Sequence, residues 1–478
     1  MRRPELLVLI AALALSIFLA VSFPLQDPDE GRNAEVAREM SASGDWVVPH
    51  LAGMPYLDKP PALFWGEALA IRAFGPTRWA PRLPAILAAM LTLLLVAGLS
   101  RRIGGGGLAW RSIALLAAAP LFAVIGAYVI FDMPLTFCVT VVWALLAIEL
   151  AEGASPGRRA LMFLGLALGV LIKGPVMLAW ALGGSLGAAL VARSRDPLRW
   201  LSWWPGWLIV LAVDGGWFAL ACSRYPEYPR YAFLEESLER MTTGSFKREQ
   251  PWWTMIATLI GGALPWSLLT PWSRARLREV GFSSRLARPA MRVAAGFILF
   301  ALVFFTLSRS KLVTYMVPAI PPFALLAALS WNTVRGRDRL VFALLLVFTP
   351  ALALVLRGTH LRTLFEASGE PLAITIRQLG GTPSVRYEGC YSPGTDYLLN
   401  RRSEIVSERA DLTTSVYQAR YRDELRRRNQ WTVREDTTGA PPADVIVRSV
   451  RDHARVPSGM VPFFNDRRFI AFRRAPQR

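Results

Sequence analysis

Residues 27–61 read DPDEGRNAEVAREMSASGDWVVPHLAGMPYLDKPP and lie between two apolar runs, Leu6–Phe23 and Leu83–Leu99. The flanks make this stretch a loop at a membrane face, and the loop keeps Asp29, Glu30, Asp58 and Lys59 close to lipid. Charges at that depth are costly unless they pair or handle a polar substrate. Local structure accounts for some of them. Asp27 before Pro28 reads as a helix N-cap with proline at the first helical position, and Glu30 falls at the capping-box position. The helix is expected to run to Ser43 and stop at Gly44. Carboxylates in a first turn complement the macrodipole, so Asp27 and Glu30 need no catalytic role, and Asp29 has the same excuse. A second helix is expected from Pro60–Pro61 to Gly75. Lys59, just ahead of its free amides, is either part of an anion site or a snorkelling lysine.

Composition extends the membrane reading to most of the chain. Of 478 residues 53% are hydrophobic, 17 are Trp, and the mean hydropathy is +0.34, too apolar for a soluble protein of this length. Apolar runs mark eleven spans: Leu6–Phe23, Leu83–Leu99, Ile113–Ile130, Leu135–Leu150, Leu161–Ile172, Val176–Val191, Trp207–Cys222, Trp252–Leu269, Ala294–Leu307, Leu312–Leu329 and Leu340–Leu356. Several fall short of the ~20 residues that a crossing helix needs. The fifth and sixth are the weakest and read as two short crossings or a re-entrant pair. The first is longer than a signal-peptide apolar region and is read as retained.

Arginine orients the spans. Arg2/Arg3, Arg101/Arg102/Arg111, Arg158/Arg159, Arg193/Arg195/Arg199, the run from Arg274 to Arg292, and Arg335/Arg337/Arg339 occupy every second connection. Such loops stay in the cytoplasm. The outer side then receives residues 24–82, the turns near Asp132 and Lys173, residues 223–251, the turn at Ser308–Lys311 and everything after Leu356. The net charge of +19 follows loop parity, which argues against a nucleic-acid partner. Cys138, Cys222 and Cys390 give no disulfide framework.

Two domains are expected: a membrane domain over residues 1–356, including the outer loops 24–82 and 223–251, and a soluble domain over 357–478. In the latter, 21 Arg face 14 acidic residues, and short alternating stretches (Ser384–Tyr387, Asp444–Val447, Phe469–Phe472) are separated by GGTP and GAPP. That pattern predicts a small α/β domain on the outer side.

The chain holds 50 arginines and four lysines, Lys59, Lys173, Lys247 and Lys311, all expected on the outer side. With topology handled by arginine, a lysine survives where a compact ammonium suits the task.

These motifs resemble, in order and on one side, those of GT-C glycosyltransferases that use a polyprenyl-phosphate sugar. Among them the aminoarabinose transferases of lipid A and bacterial relatives of protein O-mannosyltransferases are most similar. The likeness rests on the Asp29-Glu30 pair, SGDW ahead of Pro49-His50, and Tyr56-Leu-Asp58-Lys59-Pro60. It continues through FDMPL with Asp132, LIKGP with Lys173, QPWW, GGALPWS, and SRSKLVTYMVP with Lys311 and Tyr315. Ile172 stands where the family has threonine. Where those transferases carry Glu-His before an arginine, this chain has Glu236-Ser237 before Arg240, so a metal site using that histidine is not carried over.

The resemblance implies a mainly α, polytopic bundle of about eleven transmembrane helices in the bacterial inner membrane. Its site would face outward and bind a polyprenyl-phosphate-linked sugar donor and an envelope lipid, protein or glycan acceptor, with inversion by direct displacement. Asp29 would take the proton of an acceptor hydroxyl, or orient an acceptor that is already an ionised phosphate. Lys59, Arg240 and Lys311 would meet the charge growing on the leaving phosphate, with Arg82 and Lys173 behind them. Glu30, Tyr56, Asp58, Asp132, Glu236 and Tyr315 complete the substrate-binding set. No cofactor is required; the scheme leaves room for a divalent cation near Asp58 and Asp132 without needing one. The competing class is a non-enzymatic transporter of lipid-linked glycans, which would place its polar site near the bilayer midplane, often with inverted repeats. Here the charges ring the outer rim and no repeat shows. Asp214, inside the seventh span, matches nothing in the family and reads as a buried acid, neutral or hydrogen-bonded to a neighbouring helix.

Overall fold

The computed structural model describes residues 3–239, 249–270, 272, 277, 279, 284–331, 336–409, 411–438, 440–452 and 456–475. The chain divides into two compact units, residues 1–19 with 84–355 and residues 20–83 with 356–478. The first loop therefore groups with the C-terminal segment, whereas the sequence reading placed it with the membrane helices.

The first unit is helical. Among the described residues, six helices are long and apolar enough to cross a membrane: Arg3–Ser22, Ala80–Ala117, Asp132–Glu152, Trp204–Arg224, Ala287–Leu307 and Val313–Ser330, with Val176–Ala192 shorter. Leu7, Leu87, Leu190 and Leu211 are each more than 55% exposed, the outward apolar surface expected of helices in lipid. Some of the eleven expected spans are divided. The stretch Leu83–Ala117 is two helices that meet across a kink at Gly104 and Gly105, where φ at Gly105 is +71°; it covers the second expected span and the start of the third without merging them. The third span then breaks, because Pro120 starts a short separate helix, Pro120–Ile125. Residues 252–269 likewise divide into Thr254–Gly261 and Trp266–Leu269, with Pro265 between. The fifth and sixth spans are two distinct helices, Pro156–Lys173 and Val176–Ala192, parted by Gly174 at φ +75° and Pro175.

Small residues allow the closest helix approach. A Cβ on Gly187 would lie 2.3 Å from the Gly296 carbonyl oxygen, and one on Gly296 would lie 2.1 Å from the Ala188 nitrogen. Helices Val176–Ala192 and Ala287–Leu307 thus meet backbone to backbone, the usual role of glycine between helices in lipid.

The second unit combines helices Asp29–Ser43 and Ala62–Phe74 with a sheet from the C-terminal segment. Strands β1 (His50–Leu51) and β2 (Met54–Pro55) form a hairpin between those helices. The sheet contains β3 (Val385–Glu388), β4 (Glu404–Val406), β5 (Val445–Ser449), β6 (Met460–Asn465) and β7 (Phe469–Arg474), ordered β4-β3-β5-β7-β6. β3 pairs in parallel with β4 and β5, while β7 runs antiparallel to β5 and β6. The three alternating stretches read in the sequence supply β3, β5 and β7.

Candidate active site

In the second unit, helix Asp29–Ser43 begins one residue later than a cap at Asp27 requires, with Pro28 at the N-cap position. Asp27 does not cap it. Its carboxylate accepts from Ser392 Oγ at 2.8 Å, the Gly394 amide at 3.1 Å and Arg468 Nη2 at 3.1 Å, tying the first loop to the C-terminal segment. Glu30 is fully buried and accepts from Arg82 Nε at 2.8 Å, Arg82 Nη2 at 2.7 Å and the Gln26 amide at 3.0 Å. Arg82 also donates to the carbonyls of Ala20, Phe23 and Pro24 at 2.8, 2.7 and 3.1 Å. Those bonds use all five guanidinium N–H groups. No donor remains for a phosphate, so in this arrangement Arg82 and Glu30 clamp the entry of the loop rather than hold substrate.

Asp29 is different. Its side chain is 56% exposed and pairs with Arg32 Nη2 at 3.0 Å. Arg32 in turn donates to Thr414 Oγ1 at 2.8 Å. Asp58 is buried and accepts the Tyr417 amide at 2.9 Å, while Lys59 Nζ donates to the Asp58 carbonyl at 2.8 Å. Lys59 sits three residues before helix Ala62–Phe74. Tyr56 is buried against the edge of Phe64, with ring centroids 5.9 Å apart. Gln418 fixes the hairpin from the C-terminal side, its amide donating to the carbonyls of Leu51, Met54 and Pro55 at 3.1–3.2 Å.

Deeper in this unit lies an acidic group that sequence reading missed. Glu35 pairs with Arg38 through two bonds of 2.6 Å, Glu39 accepts the Gly53 amide at 2.9 Å, and Asp396 accepts from Ser403. Burial raises the Glu35 carboxyl well above the usual range, with Arg38 offsetting only part of it. Burial likewise pushes Asp396 up to about 7, against hydrogen bonds from Ser403 that act the other way. Each bond is local, but the charges of Glu35 and Glu39 act on that of Asp396, far away in sequence, which is why spacing gave no signal of the group.

In the first unit, Asp132 begins helix Asp132–Glu152 and Lys173 ends helix Pro156–Lys173. Their side chains meet at 2.6 Å and are only 7% and 14% exposed. Lys173 Nζ also lies 5.3 Å from the Tyr315 ring centroid. Lys311 precedes the 3₁₀ turn Val313–Ala319 that carries Tyr315, and Glu236 lies in the helical stretch Tyr231–Glu239. Arg240 falls outside the described residues. The structure thus gathers Asp132, Lys173 and Tyr315 in the first unit, and Asp29, Tyr56, Asp58 and Lys59 in the second. Among the described residues, no three His, Cys, Asp or Glu side chains come together as a metal site.

The family model for dolichyl-phosphate-mannose-protein mannosyltransferase matches residues 58–213, a stretch containing Asp58, Lys59, Asp132 and Lys173. The undecaprenyl phosphate-α-4-amino-4-deoxy-L-arabinose arabinosyl transferase of Edwardsiella ictaluri is 34% identical over 315 residues, 64% of this chain and 55% of that protein. The second such transferase of Sodalis glossinidius is 31% identical over 371 residues, 75% of this chain and 66% of its own. A crystal structure of ArnT from Cupriavidus metallidurans bound to undecaprenyl phosphate superposes with a TM-score of 0.80 at 24% identity, covering 99% of both chains. By sequence and by fold, this chain resembles the GT-C aminoarabinose transferases. The chain spans little more than half the length of several of the curated relatives it matches. The fold is ArnT-like, with apolar helices joined to a small sheet domain.

Proposed function

We propose that this protein is a membrane glycosyltransferase that moves a sugar from a polyprenyl-phosphate carrier to an envelope acceptor on the outer face of the bacterial inner membrane. The observation that carries this reading is the 34% identity over 315 residues to an undecaprenyl-phosphate aminoarabinose transferase. The ArnT-like fold and the ionic residues at helix ends support it. Within the reading, the donor is undecaprenyl-phosphate aminoarabinose and the acceptor is lipid A.

In the reaction, an acceptor oxygen attacks the anomeric carbon as the bond from that carbon to the phosphate oxygen breaks. Undecaprenyl phosphate leaves with the bonding electrons, and the anomeric centre inverts. Asp29 takes the acceptor hydroxyl proton, or orients an acceptor phosphate that has none to lose. Lys59 is the cation this reading sets against the charge gathering on the leaving phosphate, where fixed cations count most, and Lys311 and Arg240 are further candidates for that role. Lys173, held by Asp132 and lying over the Tyr315 ring, adds a fixed positive charge behind them in this reading.

Purified full-length protein in lipid nanodiscs, given undecaprenyl-phosphate aminoarabinose and lipid A, is expected to yield aminoarabinosylated lipid A by mass spectrometry. A matching loss of one envelope glycoform is expected in a deletion strain. Failure to transfer any sugar from any polyprenyl-phosphate donor, with folded protein, overturns the reading.

A further inference from the structure

We propose that Arg32 and Thr414 are positioning residues for Asp29, so that the C-terminal segment takes part in transfer by aiming the acceptor-side carboxylate. This rests on the role given to Asp29 above and adds to it the means by which that carboxylate is held. Asp29 needs such a means. It stands in the first turn of its helix with its side chain 56% exposed, and an exposed ion pair three residues apart fixes little by itself. What makes this pair different is that the arginine is anchored at its other end. Arg32 is 16% exposed, lies in the field of Tyr56, Asp29 and Asp58, and spends Nη1 on Thr414 Oγ1 at 2.8 Å. Three residues singled out in the sequence as substrate-binding or catalytic thus surround one that was not.

Thr414 pays for its place. Its φ is +58°, in the left-handed region that a β-branched side chain avoids. A strained residue persists only where its surroundings over-determine it, and such residues gather at working sites. The Thr414 hydroxyl donates to the Thr413 carbonyl at 2.7 Å, which points its lone pairs at the arginine. The contact joins residues 382 positions apart, so it links the first loop directly to the C-terminal segment within this unit. A chain thus runs from a strained backbone through a hydroxyl and a guanidinium to the Asp29 carboxylate.

The test uses full-length protein and the transfer assay, with kcat, donor KM and thermal midpoint measured for each variant. Thr414→Gly removes the hydroxyl yet accepts the left-handed backbone. Its kcat is expected to fall about tenfold or more, because small misplacements of a reacting group cost up to ~10²-fold. Donor KM should stay at the wild-type value and the thermal midpoint should hold or rise as strain is relieved. A merely structural contact would instead lower the midpoint along with activity. Thr414→Ser, which keeps the hydroxyl, should keep kcat. Arg32→Gln should lower kcat, and adding Thr414→Gly to it should cost nothing more, since the two act as one unit. Wild-type kcat in Thr414→Gly, or equal losses in the glycine and serine variants, or additive losses in the double variant, overturns the proposal. Asp29→Asn separates the two levels. If it is inactive while Thr414→Gly is normal, only the positioning role fails; if it is active, the role of Asp29 fails and this proposal with it.

Discussion

Asp29 and Glu30 are neighbours in one helical turn with opposite surroundings. Glu30 is fully buried and locked to Arg82, whereas Asp29 is more than half exposed and, among the described residues, held by Arg32. Asp29→Asn should therefore change stability by about 0.5 kcal/mol or less, through the weakened dipole and exposed pair. In the transfer assay it should be inactive. Glu30→Gln should do the reverse: it leaves the buried Arg82 charge uncompensated and is expected to destabilise by about 3 kcal/mol or more. Any activity lost there should track the folded fraction. An active Asp29→Asn variant leaves the chain without a base. Lys59 makes a separate case. Its ammonium reaches the Asp58 carbonyl, and Asp58 is fixed by the Tyr417 amide, so the charge is preorganised. Lys59→Ala should cost ~10²–10³ in kcat, the usual loss when a fixed charge stabiliser is removed. Lys59→Arg should restore little, because a planar fork cannot replace a point charge. Near-normal turnover of Lys59→Ala in folded protein removes it from the donor site.

At the scale of elements, the glycine seam and the acidic core respond to different stresses. Gly296→Val would drive a side chain into the backbone at Ala188, and overpacking of this kind costs about 1–3 kcal/mol. Gly98→Ala, whose added Cβ meets no atom within 4 Å, is the matched control and should leave stability unchanged or improved. Thermal unfolding in detergent measures both; equal midpoints would show that the two helices do not meet at this seam. Asp396 responds to pH. Its carboxyl is raised from 3.8 to about 7 by burial, so between those values the folded state binds more protons than the unfolded one. Its contribution is therefore fully present at low pH and lost as pH rises through about 7, at which point the buried site must accept a charge beside Glu39, with Arg38 opposing. The thermal midpoint should be higher at pH 5 than at pH 8, and Asp396→Asn should shrink that difference without abolishing it, since Glu35 shifts in the same direction. An unchanged difference in the variant would locate the pH response elsewhere. Elements were partly legible in the sequence for a physical reason. The stretches that became β3, β5 and β7 stood out because each strand opens on three buried residues within its first four, whereas β6 has no buried residue and gave no such pattern. Apolar runs found the helices but not the break at Pro120, which falls inside the expected span Ile113–Ile130 and interrupts backbone geometry without interrupting hydropathy.

For the whole molecule, sequence order carried the motifs but not their partners. Lys59, Asp132 and Lys173 announced themselves through charge beside apolar runs. Arg32 was hidden as one more charge on a charge-rich helix, and Thr414 as one polar residue in the C-terminal segment. Arg82 was misread as a phosphate ligand because sequence shows a charge and not the five acceptors that consume it. The second unit also constrains topology in a way that arginine counting cannot. Residues 20–83 and 356–478 form one compact body, joined by Asp27 to Ser392, Asp58 to the Tyr417 amide and Arg78 to Glu370. Both pieces must then lie on the same side of the membrane, so the chain between them must cross an even number of times. The eleven-span scheme satisfies this, with ten crossings after the first loop, and so does any scheme that removes spans in pairs. The arginine-rich loops decide which side is which. Reporter fusions after Arg102, Arg159 and Arg199 should therefore report cytoplasm, and fusions at residue 45 and after Arg357 should both report the outside. Opposite signals from the last two would mean that the first loop and the tail cannot share a body in the membrane. The Asp27, Asp58 and Arg32 contacts would then be lost together, and the proposed positioning of Asp29 with them.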